Sequence, residues 1–215
     1  MSGLKPPIGI LGGTFDPVHN GHLRLAVQLR DVLGLAQVRL IPSARPPHRH
    51  QPVASPGQRA KWIRVSVAGE RGLILDNREL LRDGPSYTVD TLAQLRAELP
   101  DTPLCLAMGN DVFGALDQWH QWERLLEFAH LVVVPRPGAS AKQSPRIAEL
   151  SAQHESQDAN RLRRQLCGSI YRTQFPLLDI SGSEVRELIA AGKSPRYLLP
   201  EEVLREIQDL EVYRK

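Results

Sequence analysis

The sequence contains no apolar run approaching the roughly 18 residues that a membrane-spanning helix needs, although 41% of its 215 residues are hydrophobic. Residues 1–7 are too short and too polar for a secretory signal. The expected location is therefore the cytoplasm, with no membrane partner. Cysteine is scarce: there are only Cys105 and Cys167. They form no metal-ligand spacing, and Cys105 sits in an apolar run as a small core residue. Neither a disulfide framework nor a structural zinc is expected. Aromatic residues make up 5% of the chain and do not interleave densely with basic ones. That counts against a base-stacking, nucleic-acid-binding surface. There are no internal repeats. The length suits one substantial core, so residues 1–215 read as a single domain.

Charge is near balance at +3 but unevenly placed. Arg39, Arg45, Arg49, Arg59, Lys61 and Arg64 crowd one region with His48 and His50, and Arg161, Arg163, Arg164 and Arg172 form a second group. Such groups suit anionic ligands or form a solvated face. For the second group the solvated face is at least an equal reading.

Hydrophobic patterning alternates strand and helix almost to the end. Strands are expected at residues 8–11, 38–41, 73–75, 104–108, 131–134 and 177–180. A first helix runs from Asn20 or Gly21 to Leu33, with Gly34 as its C-cap. Ser55-Pro56-Gly57-Gln58 is a capping-box pattern opening a second helix. A third leads from the turn at residues 84–88 to before Pro100. Ser181-Gly182-Ser183-Glu184 opens another, with Val185, Leu188 and Ile189 inward, and a short helix carries Val203, Leu204 and Ile207. Residues 139–168 are polar and read as a surface helix with loops. The expected fold is α/β, a doubly wound Rossmann-like parallel sheet with initial strand order 3-2-1-4-5 and a small helical subregion at residues 181–215. Ligands then bind at the carboxyl ends of the strands, where the order reverses.

The most informative stretch follows the first strand: Gly12-Gly13-Thr14-Phe15-Asp16-Pro17-Val18-His19-Asn20-Gly21-His22. Strand, glycine turn and helix N-terminus make an anion site, because the first N–H groups of a helix have no partner within it and its dipole favours negative charge. Gly12 and Gly13 let the backbone approach a ligand. His19 and His22 share a helix face, and Gly21 removes a side chain that would block a bulky group.

This string resembles the T/HxGH signature of the nucleotidylyltransferase superfamily. Its longer form resembles the bacterial nicotinate-nucleotide adenylyltransferases. The resemblance extends over nearly everything except residues 139–168. Pro46-Pro47-His48-Arg49 is similar to the family's PPHK-like stretch, with arginine for lysine. Ser86-Tyr87-Thr88-Val89-Asp90-Thr91-Leu92 matches SYTxDTL, Met108-Gly109-Asn110-Asp111 matches MGxD, and Pro135-Arg136-Pro137-Gly138 also matches. Ile180-Ser181-Gly182-Ser183-Glu184-Val185-Arg186 is close to ISSTxIR, with Gly182 replacing a serine and Ser183 a threonine.

The resemblance implies adenylyl transfer from ATP to nicotinate mononucleotide in NAD biosynthesis, with Mg²⁺ held mainly through substrate phosphates. His19 and His22 would be catalytic. Gly12, Gly13, Thr14, Phe15, Gly21, Arg49, Ser181, Ser183 and Arg186 would bind ATP. Tyr87, Thr88, Gly109, Asp111, Trp119, His120 and Arg136 would bind the acceptor, with Trp119 on the pyridine ring and Trp122 in the core. On residue chemistry alone, Thr88 can cap its helix or touch the ligand, Asp111 can bind a ribose hydroxyl or a backbone N–H, and Ser183 and Arg186 can bind phosphate or simply cap and solvate. Sibling transferases acting on nicotinamide mononucleotide or phosphopantetheine are the nearest alternative, although SYTVDTL and MGND point away from the latter. A non-enzymatic RNA- or nucleotide-binding module is the alternative of another class. Either a monomer or a homodimer is compatible with the sequence.

Overall fold

In the computed structural model, which describes residues 3–45, 51–135, 142–175 and 177–214, β1 (Ile8–Gly13) is the hinge of the architecture. It pairs in parallel with β2 (Gln37–Pro42) on one side and β4 (Leu104–Gly109) on the other. With β3 (Leu73–Leu75), β5 (His130–Val134) and β6 (Ile170–Arg172), the sheet runs β3-β2-β1-β4-β5-β6, parallel throughout. The order reverses between β1 and β4, so the crevice at the carboxyl ends of those strands is where a ligand is expected.

Alternation along each strand divides the core into two layers. Leu11, Val38, Leu40, Cys105, Ala107, Val132 and Val134 face one way, toward α1 (Asn20–Leu33), α2 (Pro56–Val67), α8 (Gly182–Ala190) and α9 (Glu201–Asp209). Ile8, Ile10, Ile41, Leu104, Leu106, Met108, Leu131 and Val133 face the other way, toward α3 (Thr88–Glu98), α4 (Asn110–Gly114), α5 (Leu125–Phe128) and α6 (Pro145–His154). A short α7 (Arg161–Arg164) precedes β6. Each fully buried leucine, such as Leu29 or Leu40, contributes roughly 1.5–3 kcal/mol. The C-terminal subregion belongs to the first layer: Val185, Val203, Leu204, Ile207 and Tyr213 join the same cluster as Leu11 and Trp62.

Local chemistry sets the helix ends. Gly34 has φ 59° and its N–H bonds the Arg30 carbonyl, the left-handed cap that glycine favours. Ser55 accepts from the Gln58 N–H while the Gln58 side chain returns to the Ser55 N–H, with Pro56 at the first helical position.

One element differs from expectation. The sixth strand is Ile170–Arg172, beside β5, and residues 177–180 are not a strand. The Ile180 N–H bonds the Leu178 carbonyl, a tight turn that takes the segment out of any ladder. Leu177 and Ile180 spend their apolar surface on the first core layer instead. Both cysteines are free thiols; Cys105 is buried, and burial pushes its pKa up to about 12.

Candidate active site

The glycine turn leaves the sheet at its centre. A Cβ on Gly12 would meet nothing within 4 Å, so this backbone faces open space. The Gly13 carbonyl accepts from the Ser43 N–H (2.9 Å) and hydroxyl (3.3 Å), which joins the ends of β1 and β2. Phe15 has φ 50°, a strained conformation for a non-glycine residue. Its ring is buried in the first core layer and meets His22 edge-on, centroids 4.8 Å apart. Only the Phe15 backbone is therefore placed to meet a ligand.

His19 is the N-cap of α1 and His22 its N3 residue. The His22 Nδ1 accepts from the His19 N–H at 3.3 Å, as the N3 side chain of a capping box does. A neutral His22 ring then carries its proton on Nε2 and offers it as a donor. The two rings stack with centroids 3.6 Å apart at 26°. Gly21 makes the stack possible: a Cβ there would lie 3.0 Å from the His19 Nδ1 and 3.4 Å from the Ile180 Cβ. Gly21 thus makes room for His19 itself, a role distinct from the expected clearance for a ligand. A second reading also changes. The first N–H groups of α1 are partly used within the protein, since Asn20 donates to the Leu198 carbonyl (2.8 Å) and His22 to the His19 carbonyl (2.9 Å). At this helix start the side chains provide donors that the backbone alone would not.

A second group gathers over the other core layer. The Tyr87 and His120 rings lie 4.3 Å apart. Trp119, half-buried, packs against the same layer, as do Tyr87 and Trp122. Tyr87, not Thr88, is the N-cap of α3, and its side chain makes no cap hydrogen bond. Thr88 is the first helical residue, so the capping alternative for Thr88 falls away. Ser86 ties this loop to the end of β2: its hydroxyl accepts from the Ala44 (3.0 Å) and Arg45 (3.3 Å) N–H groups. Ser43 in turn bonds Gly13, so the Tyr87 loop and the glycine turn are both tied to the end of β2. Behind it, buried Glu79 accepts from the Thr91 hydroxyl (2.8 Å), and burial holds its carboxyl above the usual range. Gly109 is the N-cap of α4; a Cβ on it would collide with the Asp111 carboxylate, which folds back over the end of β4. Asp111 is thus a second-position residue of α4, not its cap.

Ser181 caps α8 by accepting from the Glu184 N–H (3.1 Å). Arg186 donates through Nη1 to the Asp16 carbonyl (2.7 Å) and through Nη2 to the Ser183 hydroxyl (3.2 Å). A Cβ on Gly182 would stand 3.4 Å from both the Asp16 carbonyl oxygen and the Arg186 Nη1, an ordinary contact distance, so α8 approaches the turn closely at this position. Ser181, Ser183 and Arg186 are therefore brought to the same turn as His19 and His22. Arg49 and Arg136, with His48, lie outside the described residues.

The basic region is not one ligand-facing patch. Arg59 is 0% exposed. It donates through Nη1 to the carbonyls of Thr14 (2.7 Å) and Ser43 (2.8 Å) and through Nε to that of Ala54 (3.2 Å). Arg39 pairs with Asp76, and Lys61 with Glu206. In the second group, Arg163 holds the Leu33 carbonyl and Arg172 pairs with Glu155. Sequence reasoning assigned no role to Asp16, Asn20 or Tyr213, and misassigned Arg59. The available signal was Arg59 itself, a cation sharing a helical face with Trp62 and Ile63.

Among the described residues no group of three or more His, Cys, Asp or Glu side chains is arranged to hold a metal, and no helix is long and apolar enough to cross a membrane.

Comparison with known proteins agrees with this arrangement. The family model described as "Cytidylyltransferase-like" matches residues 10–188. A protein of Aeromonas salmonicida named "Probable nicotinate-nucleotide adenylyltransferase" is 50% identical over 98% of this chain and 99% of its own length. One of the same name from Cellvibrio japonicus is 46% identical over 98% and 100%. Among solved structures, the Plasmodium falciparum nicotinic acid mononucleotide adenylyltransferase complexed with NaAD shares the fold, with a TM-score of 0.74 at 15% identity over 97% of this chain and 98% of its own. With identity this high along the full length, the chain belongs to the cytidylyltransferase-like family and, within it, to the nicotinate-nucleotide adenylyltransferases.

Proposed function

We infer that the chain transfers the adenylyl group of MgATP to nicotinate mononucleotide, giving nicotinate adenine dinucleotide and pyrophosphate. The observation that carries this reading is the stacked His19–His22 pair at the start of α1, beside the open backbone of Gly12, in a chain so close to the named relatives. A phosphate oxygen of the acceptor attacks the α-phosphorus, a P–O bond forms, and the bond to the bridging oxygen of the β-phosphate breaks. The attacking group is already an anion, so no residue need deprotonate it and no covalent enzyme intermediate is required. The protein's work is positioning and charge stabilisation.

In this reading His22, through Nε2–H, and His19 donate to oxygens around the α-phosphorus. Thr14 and the Gly12–Phe15 backbone lie against the same phosphates. Ser181, Ser183, Arg186 and Arg49 hold the β- and γ-phosphates and the leaving pyrophosphate. Orientation of two polyanions is worth roughly 7–11 kcal/mol, and each well-placed donor about 3–4 kcal/mol. The divalent ion enters with the triphosphate. Mg²⁺ would be held mainly through the substrate phosphates, where it would neutralise charge developing in the transfer.

The acceptor end is built on α3. Its first-turn N–H groups receive no side-chain cap from Tyr87 and suit a carboxylate. Tyr87, Trp119 and His120 supply ring surface for the pyridine, and Gly109, Asp111 and Arg136 the rest of the nucleotide. Pyrophosphate release with MgATP tests the reading, offering nicotinate mononucleotide, nicotinamide mononucleotide and phosphopantetheine in parallel. The expected result is a strong preference for the first. Preference for the second would keep the chemistry and remove the carboxylate receptor; no release with any of them would overturn the function.

A further inference from the structure

Asp16 follows strained Phe15 and is 7% exposed. Its Oδ1 accepts from the Ala54 N–H (3.0 Å) and the Tyr213 hydroxyl (2.6 Å), its Oδ2 from the Val53 N–H (2.9 Å), and its carbonyl from Arg186 (2.7 Å). One residue earlier, the Thr14 carbonyl is held by Arg59. Residues 14–16 are thus gripped through their backbone from α2 and α8 and through the Asp16 carboxylate from the C-terminal segment. Tyr213 is itself in the left-handed region, with φ 70°, and its ring lies 6.3 Å from that of Trp62.

Two features of this cluster are costly for stability alone. Arg59 is a fully buried cation whose Nη2 has no hydrogen-bond partner among the described residues, and burying a charge is costly unless it is fully compensated. Strained backbone persists where surrounding structure holds it in place, often at functional turns. Burial and the bond to Asp16 push the Tyr213 phenol far above its usual pKa, so it stays a donor at every working pH.

Resting on the function inferred above, we propose that Tyr213, Asp16 and Arg59 are positioning residues for adenylyl transfer. They fix the backbone of Thr14, Phe15 and Asp16, and through it the stacked histidines, without touching the reacting atoms. Tyr213 makes the C-terminal segment a working part of the site.

Tyr213→Phe removes one hydroxyl and keeps the ring on Trp62. A displacement of about 1 Å can cost ~100-fold in rate; partial loosening by loss of one of several bonds is expected to lower kcat about tenfold. The acceptor KM should stay within about twofold, because Tyr87 and Trp119 pack on the opposite core layer and distant sites act independently. A purely structural tyrosine would lower the melting temperature and leave kcat of the folded enzyme unchanged, and that result overturns the proposal. Hydrogen exchange on the unaltered protein decides the matter even if the variant does not fold. A non-hydrolysable ATP analogue should slow exchange at the amides of Val53 and Ala54, which donate to Asp16, and at Val212 and Arg214. Unchanged exchange there also overturns it. An unaltered protein that releases no pyrophosphate would instead refute the function on which the proposal rests.

Discussion

His22 holds two hydrogen-bonding duties on opposite sides of one ring, and substitution can separate them. Nδ1 accepts from the His19 N–H and closes the start of α1; Nε2–H is the donor proposed for the α-phosphate of the transferred adenylyl group. Loss of the first duty resembles loss of a helix cap, about 1 kcal/mol, which for a chain of this size lowers the melting temperature by roughly 2–4 °C. Loss of the second resembles removal of an oxyanion donor, on the order of 100-fold or more in kcat. His22→Ala should show both effects. In His22→Asn the side-chain oxygen reaches only as far as Nδ1, so it should recover most of the melting temperature and little of the rate. In His22→Gln the amide reaches the position of Nε2, so it should recover more of the rate than of the cap. The assay is pyrophosphate release at 25 °C, with saturating MgATP and nicotinate mononucleotide, alongside thermal melts of the same preparations. If His22→Ala turns over within about threefold of the parent, the donor assignment is wrong. If rate and stability fall in parallel across all three variants, the division of labour within the ring is wrong.

Trp119→Ala removes a stacking face worth about 1–3 kcal/mol. The acceptor KM should rise between about fivefold and 150-fold while the KM for ATP holds; a drop in melting temperature alone would make Trp119 a packing residue only. His130 is 0% exposed, with its Nε2 against the Gln165 carbonyl (2.9 Å) and its Nδ1 accepting from the Ser169 N–H (3.1 Å). Burial, reinforced by Arg96 and Arg161, lowers its pKa. The unfolded chain, with histidine near 6.5, binds the proton more readily than the folded one. Stability from this residue is therefore complete above about pH 6.5 and lost as pH falls. Melts between pH 8 and 5 should show the decline, and His130→Asn should flatten it; equal slopes would refute the assignment.

What could be read along the chain was local. The glycine turn, the Gly34 stop, the Ser55 capping box and the three-residue strand at Leu73–Leu75 all depend on neighbours within a few positions, and all were legible. The misplaced sixth strand shows the limit. Ile170–Arg172 looks unremarkable because a three-residue strand at the sheet's edge needs few apolar residues, whereas residues 177–180 carry Leu177 and Ile180, whose apolar surface joins the first core layer instead. Register across the sheet was invisible for the same reason. In the candidate site, His19 and His22 were singled out in the sequence because their type and spacing suggest phosphate chemistry. Those that hold them were not: Asp16 meets Tyr213 and Arg59 meets Thr14 only after folding. A charged side chain also looks alike in sequence whether it meets solvent or, like Arg59, three carbonyls.

The contact between Asp16 and Tyr213 joins residues 197 positions apart, and Asn20 is held by Leu198 from nearly as far. At about 5–20 residues per second, roughly 10–40 s of synthesis separates the two partners of the Asp16 bond. During that interval the nascent chain carries every residue of the glycine turn and both histidines, and gains Arg59 and Arg186 on the way, yet lacks Tyr213. A chain stalled short of Tyr213 therefore holds the glycine turn and both histidines without the hydroxyl that binds Asp16.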